Sequence, residues 1–261
     1  MDRNQLTRLY DQDQRINVEY PDSRREVTPD VVRHIDTSDF RQGTVIYSQL
    51  TESNAEAVIR EQIAFFEQLG QDFEWKLFEH DRPSDLKERL KVHGFTVEEA
   101  EAIMVLDLAE APPILWQPVA QDVRRITDPG QLADVLVVQQ QVWDEDFSWL
   151  GEYLGGALTR FPDQMSVYVA YVDEQPASAA WTYFPRRSQF ASLWGGSTVS
   201  GYRGRGLYTA LLAVRTQDAK DRGRTFLTVD ASDMSRPILE KFGFQQIAWS
   251  WPCKWNSKAR E

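Results

Sequence analysis

The 261 residues carry 29 Lys+Arg against 40 Asp+Glu, a net charge of −11, with three histidines and one cysteine. That length permits one large or two small domains with a sizeable core, while a single cysteine excludes an intramolecular disulfide and a thiolate zinc cluster. No run of about 18 apolar residues offers a membrane span, and the polar start Met1–Gln5 has no apolar leader, so a reducing cytoplasm is the expected location.

Residues 1–30 are polar, with a short helix expected near Leu6 to Ile16 and a Pro21–Pro29 connection. Val31 to Asp36 and Gly43 to Leu50 are rich in β-branched residues and predict strands. Thr51 or Ser53 caps a helix that runs to Leu69 and stops at Gly70. Phe73 to Glu79 alternates as a strand, Pro83 opens a helix to Val92, and Ala102 to Leu108 is a further strand. Pro112-Pro113 and Pro118 mark a seam, giving expected domains 1–117 and 118–261.

The second half begins with a strand at Val123 to Ile126. Helices follow from Asp128-Pro129 to Trp143 and from Phe147 to Thr159. Ser166 to Val172 and Ala177 to Phe184 form a hairpin across the polar turn Asp173-Glu174-Gln175-Pro176. Phe190 to Val199 is a strand that feeds a turn holding Gly201, Gly204 and Gly206. An amphipathic helix comes next, with Leu207, Ala210, Leu211, Val214 and Ala219 near helical spacing, Arg215, Asp218, Lys220 and Asp221 toward water, and Gly223 as its cap. Thr225 to Asp230 is a strand, a short helix starts near Arg236, and Gln245 to Trp251 closes the chain.

Charge is unevenly placed. Residues 1–118 hold 24 acidic against 13 basic residues, and residues 119–261 hold 16 of each. Neither half offers the basic face that nucleic acid needs. The two halves share an order: helix, strand, Arg-Pro turn, helix, Gly-Phe, strand. Arg82-Pro83 with Gly94-Phe95 answers to Arg236-Pro237 with Gly243-Phe244, which reads as a degenerate internal duplication. Leu50 to Asn54 lacks the glycines of the second copy and has Glu52 where an anion would sit.

The stretch Val199 to Gly223 organises the chemistry. Glycines let a backbone approach a ligand closely, and the first turn of a helix offers unpaired N–H groups at a positive dipole end. This strand–turn–helix suits a phosphate or pyrophosphate, the alternative being a ligand-free glycine turn. A Rossmann fingerprint would need glycine at Thr209, a P-loop would need Gly-Lys-Ser/Thr, and Val199 spoils a G-x-S-x-G elbow in Gly195 to Val199.

Arg203-Gly204-Arg205-Gly206-Leu207-Tyr208 resembles the Q/R-x-x-G-x-G/A loop of the GNAT superfamily of acyl-CoA-dependent N-acyltransferases. Thr209 to Leu212 and Leu239 to Phe244 are also similar to that family. The resemblance covers about residues 122–255, and residues 31–108 look like a shorter copy, so the whole is similar to a tandem GNAT protein with one working half. It implies an α/β (α+β) fold with a mixed, mostly antiparallel central sheet flanked by helices. It further implies acetyl-CoA as cosubstrate, held by Val199, Arg203, Gly204, Arg205, Gly206, Leu207 and Tyr208, with Ser232 and Ser235 as further contacts. Tyr208 departs from the small residue the family places there. A bulge at Gly195-Gly196 would splay Phe190–Val199 from Thr225–Asp230 and supply an N–H to the thioester carbonyl.

A primary amine acceptor has to lose a proton. Asp230 and Asp233 are the candidate bases, with Asp144, Glu145 and Asp146 as others. The family's acidic tyrosine aligns with Leu239, leaving the thiolate to water, Ser232 or Ser235. Aromatics are dense on the acceptor side at Trp143, Phe147, Trp149, Tyr153, Trp181, Tyr183 and Trp194. They either pack a core or line a pocket for an apolar or cationic acceptor. Arg186-Arg187 offers a carboxylate site or a plain hairpin tip. A non-catalytic acyl-CoA-binding module is the competing expectation, and an interaction protein without cofactor the third.

Overall fold

Two compact units divide the chain in the computed structural model, which describes residues 1–38 and 42–257. The first comprises residues 1–104, 230–238 and 245–261, and the second 105–229 and 239–244. The expected boundary at 117/118 thus falls inside the second unit, and the chain end belongs to the first. The reason is strand pairing: β12 (Gln245–Trp255) lies antiparallel on β4 (Asp72–Phe78), from Ser250↔Phe78 to Trp255↔Phe73.

In the first unit, α1 (Arg3–Tyr10) is capped by Asp2 and runs into a π-helical turn, Asp11–Ile16. Strand β1 (Ser23–Val27) pairs antiparallel with β2 (Val31–Asp36), where only a connection was expected. Its Ser-Arg-Arg-Glu-Val sequence has no apolar alternation, so nothing announces it. Strand β2 pairs antiparallel with β3 (Gln42–Ser48), and β3 pairs parallel with β4 from Gln42↔Asp72 to Val45↔Trp75. The crossover is α2 (Ala55–Leu69), which buries Ala55, Val58, Ile59, Gln62 and Phe66 at helical spacing. Asn54, not Thr51 or Ser53, stands at its N-cap, and Gly70 ends it at φ +63°. Then come α3 (Leu86–Val92), the two-residue β5 (Thr96–Val97) on β12, and β6 (Glu101–Asp107). The core gathers on Trp75, Phe66, Phe73, Ile59, Leu86 and Leu90.

The second unit opens with Pro113–Trp116, a 3-10 turn rather than a loose linker. Leu115 is fully buried, and its carbonyl accepts from Gln217 Nε2 at 2.9 Å. Strand β7 (Asp122–Ile126) is followed by the helices α4 (Ala133–Trp143) and α5 (Ser148–Arg160). Strands β8 (Met165–Val172), β9 (Gln175–Tyr183) and β10 (Phe190–Thr198) form an antiparallel run with β7. Positive φ at Asp173 and Glu174 (50° and 60°) marks a two-residue I′ hairpin turn between β8 and β9. Helix α6 (Leu207–Asp221) joins β10 to the parallel β11 (Phe226–Ala231). It stops at Gly223, φ +71°, whose N–H donates to the Lys220 carbonyl. Helix α7 (Arg236–Glu240) precedes β12.

Each unit therefore carries one motif: an antiparallel pair with a register shift, then a helix, then a parallel strand. In the first unit the shift leaves Ile46 unpaired between Val32↔Tyr47 and Arg33↔Val45. In the second it leaves Gly196 unpaired between Gly195↔Ala180 and Ser197↔Ala179. The strand pairing within each unit is mixed and mostly antiparallel. No helix among the described residues is long and apolar enough to cross a membrane.

Candidate active site

The bulge is built by two glycines. Gly195 and Gly196 sit at φ +73° and +68°, in the left-handed region that side chains avoid. A Cβ on Gly195 would stand 2.6 Å from Trp181 Cζ3, so the backbone there lies directly on the indole. Parallel pairing of β10 with β11 runs from Phe190↔Phe226 to Ser192↔Thr228, upstream of the bulge.

Below the bulge, Ser197 is the hub of a small network. Its Oγ accepts from Trp143 Nε1 at 3.2 Å and donates to Gln139 Oε1 at 3.1 Å. Gln139 is buried, and its Nε2 has no partner among the described residues. None of this was anticipated from sequence. Periodicity puts Gln139 on the buried stripe of α4, at i+4 from Val135, but does not supply its partners.

Past β10 the chain makes a 3-10 turn at Ser200–Tyr202, and Arg203 Nε reaches back to the Thr198 carbonyl at 3.2 Å. Gly204 and Gly206 have φ +76° and +77°, and Gly206 is the N-cap of α6 with no side chain capping it. Tyr202, Arg203 and Ala210 donate their amides to Val199, Ser200 and Gly206. The amides of Gly204, Arg205, Gly206, Leu207, Tyr208 and Thr209 have no acceptor among the described residues. Arg203 and Arg205 beside them are exposed. A run of unpaired amides at a helix N-terminus, flanked by two guanidinium groups, is the chemistry of an oxyanion site.

Helix α6 departs from its expected faces. Arg215 is buried rather than toward water, with Nε on the Leu211 carbonyl at 3.0 Å and Nη1 on the Trp194 carbonyl at 3.3 Å. It has no carboxylate partner among the described residues, and burial pulls it down to about 10, Tyr208 and Tyr168 acting the other way. Asp218 is also largely sequestered: it accepts from Ser166, Tyr168 and Arg222. Most of α6 is buried, so Arg215 and Asp218 are not on a solvated face, while Lys220 and Asp221 at its end are exposed as expected.

The remaining expected residues lie on the 230–238 segment of the first unit. Asp230 pairs with Lys76 at 2.9 Å, and Lys76 also binds Glu101. Lys76 is buried, and the carboxylates Asp230, Glu101 and Glu74 raise its affinity for its proton. Ser232 and Ser235 bond to one another and cap the start of α7, and Asp233 is exposed. Leu239 is buried. In the first unit the unpaired Ile46 carbonyl is taken by Arg15 Nε at 3.0 Å, and the Arg15 guanidinium binds Asp81 at 2.8 and 2.9 Å. That bulge is occupied by the protein's own side chain. No group of three or more His, Cys, Asp or Glu placed to hold a metal ion occurs among the described residues.

No family model and no curated protein matches the sequence. Solved structures do match the fold. A GCN5-related N-acetyltransferase from Kribbella flavida aligns over 89% of this chain and 89% of its own, at TM-score 0.67 and 15% identity. A conserved protein of unknown function from Staphylococcus epidermidis aligns over 91% of this chain and 96% of its own, at TM-score 0.68 and 12% identity. The chain has the fold of the GNAT superfamily. It also matches a tandem GNAT protein from the clavulanic acid biosynthesis pathway over 91% of this chain and 84% of that one, at TM-score 0.61 and 12% identity. The likeness therefore takes in both halves.

Proposed function

We propose that the second unit binds acetyl-CoA and transfers its acetyl group to a primary amine by direct attack in a ternary complex. The observation that carries this is the row of unpaired amides from Gly204 to Thr209, with the exposed side chains of Arg203 and Arg205 at its start. The cosubstrate's pyrophosphate fits there, with Val199, Leu207 and Tyr208 along its path. Beyond Ser192↔Thr228, β10 offers backbone to the pantetheine arm. A bulge N–H at Gly195-Gly196 then polarises the thioester carbonyl.

The reaction balances without any further reagent. The ammonium yields a proton to water, the neutral nitrogen attacks the carbonyl carbon, and the C–S bond breaks. The second nitrogen proton passes through water to the thiolate, giving amide and CoA thiol. The ion pair with Lys76 speaks against Asp230 as base, which leaves Asp144 or Glu145 of the second unit to assist the water. The single, buried Cys253 accords with a reducing cytoplasm.

A second reading, an acyl-CoA-binding module without catalysis, draws on Leu239 at the position of the family's acid and on the engagement of Asp230. Thiol release from acetyl-CoA with a panel of primary amines separates the two. Release that saturates with one amine supports the transferase. Acetyl-CoA binding without release for any amine supports the module.

A further inference from the structure

Aromatic rings form a continuous row in the second unit that ends at the bulge. Ring centroids stand 6.3 Å apart for Phe147–Trp149, 6.4 Å for Trp149–Tyr153, 6.4 Å for Tyr153–Tyr183 and 6.2 Å for Tyr183–Trp194, the last edge-on at 87°. Trp194 immediately precedes Gly195. Trp143 joins from α4 through its bond to Ser197. One indole thus sits on the strand just before the bulge and another is tied to the strand just after it.

Phe147, Tyr153 and Tyr183 are partly buried against the core of the unit, and the indoles are the open part of the surface. Trp143, Trp149 and Trp194 are 53%, 49% and 51% exposed, whereas Trp181, under the bulge, is 8% exposed. Two half-open indoles in the row, with that of Trp143 tied to the strand beside the bulge, form an exposed apolar patch, not scattered surface residues. Their faces attract flat apolar groups and cations. Asp144, Glu145 and Asp146 follow Trp143 directly and are exposed. Asp146 is spent on Ser148, accepting from its N–H at 2.8 Å and its hydroxyl at 3.1 Å. Asp144 and Glu145 have no ion pair among the described residues. The patch is therefore apolar with a negative rim, complementary to a molecule that is flat at one end and cationic at the other.

We infer that the acceptor is an arylalkylamine: a primary ammonium on a short aliphatic arm attached to an aromatic ring. Its ring packs on the exposed face of Trp194, where the row meets the bulge, and Asp144 and Glu145 draw its ammonium toward the bulge. An amino sugar needs several converging polar groups, whereas the exposed members of the row, Trp149 and Trp194, present indole faces. The inference rests on the proposed transferase reading and narrows its substrate class.

The test uses the full chain, acetyl-CoA and four amines at matched concentration: phenethylamine, hexylamine, glucosamine and a lysine-containing peptide. Thiol release gives kcat/KM for each, and calorimetry gives the acetyl-CoA Kd separately. Phenethylamine is expected to exceed hexylamine by about tenfold and glucosamine by about a hundredfold, in line with the value of desolvated stacking and cation–π contacts. Trp194→Ala is expected to abolish the aryl preference through KM, Trp194→Phe to retain most of it, and the acetyl-CoA Kd to change less than about twofold in either. Preference for glucosamine or the peptide, an aryl preference that survives Trp194→Ala, or release from none of the four would overturn the substrate class while acetyl-CoA still binds. Failure of acetyl-CoA to bind would instead remove the transferase reading, and this inference with it.

Discussion

The ring of Tyr208 lies against Gly196: a Cβ built on that glycine would be 3.5 Å from Tyr208 Cε2. The first turn of α6 and the bulge of β10 are therefore fitted to one another. A bulky residue at position 208 is accommodated because the strand opposite carries no side chain. Burial raises the Tyr208 phenol above its ordinary value, Arg215 partly opposing, so it stays neutral at working pH.

The two bulge glycines differ in what surrounds them, so their alanine variants should differ too. Gly195→Ala meets both a positive φ and the Trp181 ring at 2.6 Å, and a loss of about 2–4 kcal/mol is expected from strain plus overpacking. Gly196→Ala meets the positive φ with only an ordinary contact at 3.5 Å, for about 1–2 kcal/mol. Urea midpoints of the two variants check the order. A Gly196 variant less stable than the Gly195 variant would contradict the geometry.

Asp230 should behave as a structural residue. Asp230→Asn removes one of two carboxylates paired with buried Lys76 while Glu101 remains, so a loss of about 1–2 kcal/mol is expected, as for one charged hydrogen bond. Stability should fall while kcat, measured on protein shown to be folded, holds within about twofold. A kcat loss of about a hundredfold with unchanged stability would return Asp230 to the role of base.

Arg215 is a buried cation held by carbonyls alone. Replacing such a charge with an apolar side chain of similar length is often neutral or stabilising, so Arg215→Met is expected to shift the urea midpoint little. Arg215→Glu, which buries an unpaired anion, should unfold the unit. A loss of more than about 3 kcal/mol in the Met variant would mean that the guanidinium contributes more than its packing.

His34 sets an acid limb. Burial, with Arg25 adding to it, lowers His34 from 6.5 to about 4, and its Nδ1 is bonded to Ser23 Oγ at 2.8 Å. The folded pKa is depressed, so the unfolded chain takes up the proton first as pH falls. This contribution to stability is complete above pH 6.5 and is lost between 6.5 and about 4. Stability should drop by about 2 kcal/mol from pH 7 to pH 5 through this group. His34→Gln should flatten that part of the profile, and an unchanged slope would refute the assignment.

Much of the framework was legible in sequence because local pattern and tertiary role agree. The β-branched runs at Val31 and Gly43, the helix ending at Gly70 and the glycine turn at Gly204–Gly206 all form where propensity places them. The misses have a common physical cause: they depend on partners far along the chain. Strand β1 exists because β2 offers an edge, and Arg215 is buried because two carbonyls meet it. The departure from the 117/118 boundary turns on β12 lying on β4, 167 or more residues upstream. Within the site, the loop and the glycine bulge could be found from residue type alone. The Gln139–Ser197–Trp143 network could not, because a serine and a glutamine carry no chemistry until the fold brings them together.

The central claim is that the Gly204–Thr209 amides hold the pyrophosphate of acetyl-CoA, and calorimetric titration of the full chain tests it most directly. Acetyl-CoA is expected to bind one equivalent, and Arg203→Glu with Gly206→Asp, which sets two carboxylates against the same amides, is expected to weaken it by about a hundredfold or more. An affinity unchanged in that double variant, or no binding to the unaltered chain, would contradict the account.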